Sequence, residues 1–156
     1  MSHLYIFVSE PRLIEFPIGG RPGASSYADH DTLARNAFEL GRYWESNPWI
    51  RGGAPLPQTV WYRFPEAVTV SEFSFSSGDD WLEYMPRKFD FVGSDDCAAW
   101  TTIQSYETEF TRDEETKEFA IPAAKRKSFR CVGIRVTKTK SNTFAAIQHM
   151  NMWSYN

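Results

Sequence analysis

The sequence predicts an all-β fold, a two-layer antiparallel β-sandwich, and three observations carry that expectation. Seven or eight short runs rich in Val, Ile, Phe, Tyr, Trp and Thr follow one another along the chain. Clusters of Gly, Pro, Asp and Ser separate them, each a place where the backbone can reverse. Helical periodicity is nearly absent, so the runs must bury their apolar sides against one another in packed layers.

His3–Val8 reads as a first strand and Arg12–Phe16 as its continuation beyond Pro11, which interrupts pairing. Gly19, Gly20, Pro22 and Gly23 turn the chain. Thr32–Leu40 is expected as a short helix, with Asp29 or Asp31 as cap, Leu33, Ala34, Ala37 and Phe38 as apolar stripe, and Gly41 as stop. Glu45–Pro57, with Trp49 and Arg51, reads as a long surface loop, the kind of segment that carries recognition.

Thr59–Phe64 is the next strand, ended by a turn at Pro65, and Val68–Ser76 the one after it, broken by Ser77–Asp80. Lys88–Gly93 alternates Phe89 and Phe91 against Lys88 and Asp90, and Ser94-Asp95-Asp96 forms a turn. Trp100–Tyr106, Lys117–Ile121, Phe129–Thr137 and Phe144–Trp153 complete the set. Val132, Ile134 and Val136 share one face with Arg135 on the other, and Gln148, Met150 and Met152 alternate against His149, Asn151 and Trp153. Phe89, Phe91, Trp100, Val132, Ile134 and Val136 are the expected core.

The 156 residues suit one domain over 1–156, long enough to bury its own core. With 42% apolar and 16% aromatic residues the chain has too much apolar mass for disorder. A net charge of -3 argues against nucleic acid or an anionic membrane as partner. Residues 79–118 carry twelve acids and four bases, and residues 119–156 seven bases and no acid, so neighbouring strands are expected to neutralise each other. Cys97 and Cys131 read as two free thiols of a reducing compartment, without metal-ligand spacing. No basic signal-like opening and no run of transmembrane length is present. The expected location is cytoplasmic.

Several landmarks occur in an order similar to that of the discoidin domain, also called the coagulation factor type C domain, of the galactose-binding-like jelly-roll superfamily. Ala24-Ser25-Ser26-Tyr27 resembles its small-residue opening, and Ala37, Phe38 and Trp44 its alanine–aromatic and tryptophan landmarks. Thr59–Phe64 with Val68-Thr69-Val70, and Lys88–Asp96 followed by Trp100, are similar to its central strands. Phe129–Val136 looks like the arginine-led penultimate strand, and Gln148–Ser154 stands in place of the last. Thr59 and Arg63 replace residues that are often Trp and Asp in the family, and no cysteines lie near the two ends. The resemblance implies a jelly-roll that binds ligands through loops at one end. It also places Trp44 and Trp100 in the core.

No catalytic residues are expected. His3, His30 and His149 have no catalytic spacing, no serine elbow or phosphate loop is present, and Asp79/Asp80 and Asp95/Asp96 read as solvated turn formers. The structural calcium that many members of the resembled family hold would need six to eight oxygen ligands. Glu39, Asp29, Asp31, His149 and Asn151 make an incomplete set, so no metal or cofactor is expected. Trp61 and Trp153 sit in strands and serve a sheet face or the seam between sheets. Ligand contact is expected at Trp49, Arg51, Trp81, Tyr84 and Phe144, where flat apolar rings stand beside directional polar groups, as a sugar requires. Arg51 offers a fork of donors. The function read from this is a non-enzymatic, carbohydrate-binding domain; the alternative is an intracellular protein–protein interaction domain of the same fold, since Trp, Tyr and Arg also dominate protein interfaces. Lys125-Arg126-Lys127 is too small a basic patch to make nucleic acid a partner. The oligomeric state is not encoded in any of these features.

Overall fold

Alternation along the sequence becomes alternation of burial: Val132, Ile134 and Val136 are no more than 1% exposed, whereas Arg135 between them faces away and stays partly accessible. The computed structural model describes residues 10–16, 20–26, 34–38, 44–45, 55–78, 82–143 and 145–155. Ten strands are present among them: β1 (Arg12–Leu13), β2 (Arg21–Ala24), β3 (Trp44–Glu45), β4 (Gln58–Thr69), β5 (Glu72–Ser76), β6 (Pro86–Ser94), β7 (Thr101–Glu107), β8 (Thr116–Ala120), β9 (Ser128–Thr139) and β10 (Ala146–Ser154). One sheet runs β1-β10-β5-β8, with β3 also on β10, and the other runs β2-β4-β9-β6-β7; every pairing is antiparallel. The expected two-layer sandwich is what forms.

Aromatic rings fill the space between the layers. Phe73 of β5 stacks on Phe91 of β6 at 4.5 Å and on Phe119 of β8 at 5.2 Å, and Phe75 meets Phe89 edge-on at 5.4 Å. Such pairs add about 0.5–1.5 kcal/mol each beyond the area they bury. Trp44 is fully buried, and its indole N–H donates to the Ser26 carbonyl at 2.7 Å. The predicted helix is a short 3-10 turn, Ala34–Phe38, whose Phe38 packs on Phe16 and Tyr62 at 5.0 and 5.4 Å. The expected first strand, His3–Val8, and the caps Asp29 and Asp31 lie outside the described residues.

Several expectations need correction. Pro65 does not end a strand: β4 continues through it with a register shift between Arg63 and Val68, and the chain turns at Val70 and Ser71 instead. A proline is tolerated where the ladder is already interrupted. In β10 a bulge with His149 at φ 48° switches the parity, so Ile147 joins Met150 and Met152 inside while Gln148 is only half-buried.

Trp100 is not a core residue. It is half-buried and packs on Trp61 at 5.2 Å, on the outer face of the second sheet. Trp61 and Val92 flank Gly133 in the ladder, and the missing side chain of Gly133 gives Trp61 its seat. Cys97 and Cys131 are not free thiols but a disulfide, with Cα atoms 5.5 Å apart. The loop after β6 folds back over that outer face, which brings Cys97 to β9. The expected strand-to-strand neutralisation is present in part: Arg135 of β9 bridges Asp90 of β6 at 3.1 Å, and Lys88 of β6 bridges Glu107 of β7 at 3.1 Å.

Candidate functional site

Strand register gathers distant loops at one end of the sandwich. Glu45 pairs with Ala146, Gln58 with Val136, and Pro86 with Thr139. The strand ends at Glu45, Gln58, Pro86 and Thr139 therefore lie at the same end of the two sheets. Gln58, only 7% exposed, ties this end together: its Oε1 accepts from the hydroxyls of Ser25 and Ser26, each at 2.6 Å, and its amide donates to the Pro55 carbonyl at 2.7 Å. The β7–β8 connection joins through Thr108 N–H to the Arg87 carbonyl at 2.9 Å, and through the Ser77 hydroxyl to the Arg112 carbonyl at 2.8 Å.

Within this end lies a cavity of about 230 Å³ lined by Leu82, Met85, Arg87, Glu109, Phe110, Thr111 and Lys140. Leu82 belongs to a 3-10 turn, Leu82–Tyr84, and the Ser141 N–H donates to the Glu83 carbonyl at 3.1 Å, which holds that turn against the segment carrying Lys140. Buried Met85 and Phe110 make an apolar floor, with Phe110 braced on Phe75 at 5.3 Å. Arg87, Glu109 and Lys140 are all exposed. Their neighbours Lys88, Glu107, Arg112 and Glu115 are consumed in ion pairs with one another, at 3.1 Å for Lys88–Glu107 and 3.8 Å for Arg112–Glu115. An apolar floor with unspent donors and an acceptor on its rim suits a small polar ligand that has one apolar face.

The ionisable groups held furthest from their ordinary range sit elsewhere. Three bonds to Asp96 Oδ1, from the N–H groups of Ala99 and Ala98 at 2.9 Å each and from the Ser94 hydroxyl at 2.8 Å, hold its carboxyl down at about 2. Burial pushes the Tyr106 phenol up to about 12, and its O–H donates to the Ala120 carbonyl at 2.7 Å. Both are structural: Asp96 shapes the β6–β7 loop, and Tyr106 pins β7 to β8.

Of the residues expected to contact ligand, Tyr84 is half-buried in the turn beside the cavity; Trp49, Arg51, Trp81 and Phe144 lie outside the described residues. Sequence reasoning placed ligand contact on loops at one end of the sandwich, Tyr84 among its residues, but not on the groups that line this cavity. Arg87 and Glu109 were hidden at strand ends in an acid-rich stretch, and nothing in the local pattern marks Phe110 as a floor. For calcium, Glu39, Asp29 and Asp31 lie outside the described residues. The Asn151 amide nitrogen stands 3.3 Å from His149 Nε2. Among the described residues no three His, Cys, Asp or Glu side chains gather, and an imidazole does not fit a cation that takes oxygen ligands.

No protein-family model matches the chain, and no curated protein matches it. Solved structures do. The F5/8 type C domain of a Bacteroides fragilis protein superposes with a TM-score of 0.72 at 13% identity, over 92% of this chain and 96% of that one. The family 32 carbohydrate-binding module of Clostridium perfringens NanJ, in complex with galactose, gives 0.68 at 16% identity over 86% and 93%. A family 32 module, CBM32-3, from a family 31 glycoside hydrolase of Clostridium perfringens gives 0.70 at 15% identity over 84% and 87%. The chain thus has the jelly-roll β-sandwich fold of these domains. The expected cytoplasmic location does not stand. Its premise of free thiols is replaced by the Cys97–Cys131 disulfide, a bond of oxidising compartments, and the matching folds include family 32 carbohydrate-binding modules of Clostridium perfringens, one of them from a glycoside hydrolase. Among the described residues no helix is long and apolar enough to cross a membrane.

Proposed function

We propose that the chain is a non-enzymatic domain that binds a carbohydrate at the loop end of its sandwich. The observation that carries this reading is the cavity between Leu82 and Lys140, whose apolar floor and charged rim match the two sides of a sugar ring. The C–H face of a pyranose packs on Phe110, Met85 and Leu82. Its hydroxyls take donors from Arg87 and Lys140 and the acceptor of Glu109. The galactose held by the family 32 module of NanJ supports the choice of ligand class.

Trp49, Arg51, Trp81, Tyr84 and Phe144 belong to the same reading as further ligand contacts, with Tyr84 in the turn that also carries the cavity-lining Leu82. The contact is direct, without a metal ion or cofactor. A glycan array followed by titration calorimetry tests it. Lys140→Ala, Trp49→Ala and Trp81→Ala should each weaken the best array ligand roughly tenfold, about 1.4 kcal/mol, with Tm almost unchanged. An array on which no glycan binds, or variants that all lose stability and keep affinity, would remove the loop-end site.

A further inference from the structure

The rim of the cavity is not neutral. Arg87 and Lys140 line it against the single carboxylate of Glu109, and among the described residues none of the three has a side-chain hydrogen bond or ion pair. Two other cations of the same sheet are paired: Arg135 with Asp90 and Thr102, at 3.1 and 2.6 Å, and Lys88 with Glu107 at 3.1 Å. Among the described residues Glu83, Asp113 and Glu114, other acids near this end, do not line the cavity, and Glu115 is occupied by Arg112 at 3.8 Å and by the Thr111 N–H at 3.2 Å. Among the described residues the cavity therefore presents two unspent cations and one unspent anion above an apolar floor.

Resting on the carbohydrate reading above, we infer that the sugar this cavity takes is acidic, a saccharide bearing a carboxylate. A neutral sugar would leave one of the two cations without a charged partner. A carboxylate on the ring or its side chain accepts the planar fork of Arg87 in a bidentate pair, with Lys140 as a second, less directional charge. Glu109 is left to accept from hydroxyls, and it sets the orientation, because a carboxylate presented to Glu109 would be repelled.

The probes are matched pairs: lactose against sialyllactose, and methyl-esterified tri-galacturonate against tri-galacturonate, titrated against the full chain at low salt and at 0.5 M sodium chloride. At least one acidic member should bind tenfold or more tighter than its neutral counterpart. That preference should shrink in Arg87→Gln and in Lys140→Gln, and at high salt, as charge pairing at an accessible rim requires. Circular dichroism melts of both variants check that they remain folded. Equal affinity for acidic and neutral members, with neutral glycans still bound, overturns the acidic inference and leaves the carbohydrate reading in place. Binding of no glycan in any arm or on the array overturns the carbohydrate reading itself.

Discussion

The backbone N–H of Ser141 donates to the carbonyl oxygen of Glu83 at 3.1 Å, joining two loops that lie more than fifty residues apart in sequence. Through it the turn carrying Leu82 is held against the segment carrying Lys140, and the cavity between them has defined walls. The segment is shaped in turn by Thr139, fully buried, whose hydroxyl oxygen accepts from the Asn142 N–H at 3.0 Å. Local order at the site thus depends on a side chain that is not accessible to ligand.

Thr139→Val keeps the volume of that side chain and deletes its oxygen. Leaving the Asn142 N–H without its acceptor should cost about 1–3 kcal/mol, read by urea denaturation. Glycan affinity should fall as well, because Lys140 is the next residue. Unchanged affinity in a destabilised variant would show that the loop does not shape the site.

The strength of periodicity decided what the sequence could reveal. Val132, Ile134 and Val136 alternate without interruption, and their burial follows directly from a ladder that keeps its register. In β10 the same logic identified Met150 and Met152 but failed at Gln148, because a bulge at a non-glycine residue, His149, leaves no mark in composition. The pairing of Cys97 with Cys131 depends on a loop folding over the outer face, a tertiary event that spacing does not encode. Trp100 was misplaced for the same reason. The cavity was legible as loops and illegible as residues: Arg87, Glu109 and Lys140 meet only after β6 has found its register with both β7 and β9.

The disulfide closes a loop of 34 residues that includes all of β7 and β8. By loop-closure entropy such a link stabilises by about 3–4 kcal/mol. Unfolded, unreduced protein should show no free thiol, and guanidinium denaturation with and without reductant should differ by that amount. Two titratable thiols in air-oxidised, freshly purified protein would break this expectation.

Gly133 sits in β9 opposite Trp61, and a Cβ there would stand 2.7 Å from the Trp61 Cα and closer still to the Val60 carbonyl oxygen. Both are backbone atoms of a central strand and cannot swing aside. Gly133→Ala should therefore destabilise toward about 3 kcal/mol, by overpacking rather than by loss of any contact. At Gly23 the obstacle is the Trp61 ring, at 2.5 Å, which has a rotamer to change, so Gly23→Ala should cost less. Equilibrium unfolding of the two variants ranks them.

Asp96 gives the chain an acid-side dependence whose direction is fixed by its bonds. Three donors favour the charged carboxylate in the folded state and hold it down at about 2, below the ordinary value of 3.8. A depressed folded value contributes stability above the unfolded one, so the contribution is complete above about pH 4 and fades as pH falls toward 2. Asp96→Asn keeps an oxygen acceptor but cannot titrate. The difference in Tm between wild type and variant should be largest near neutral pH and shrink between pH 4 and 2, while glycan binding, at the opposite end of the sandwich, stays the same. A difference that does not change across that range would mean the Asp96 bonds do not survive in solution.

The proposed direct contact between sugar and protein makes a last prediction about metal and about Glu109. If the ligand is held by Arg87, Lys140 and Glu109 above Phe110, chelation with EDTA should leave affinity and Tm where they were, and added calcium should restore nothing. Glu109→Gln discriminates further. The amide retains an acceptor oxygen for a sugar hydroxyl and adds a donor, while removing the one anion that lines the cavity among the described residues. For a neutral glycan that change should weaken binding, since a charge-assisted bond becomes a neutral one of roughly half the strength. For a carboxylate-bearing glycan the loss is offset by relief of repulsion, so its affinity should hold or rise. Calorimetry of Glu109→Gln with lactose and sialyllactose, before and after EDTA, reads both effects in one series. A large loss on chelation would place a cation between protein and sugar, and the rim charges would then have to be reinterpreted as its surroundings.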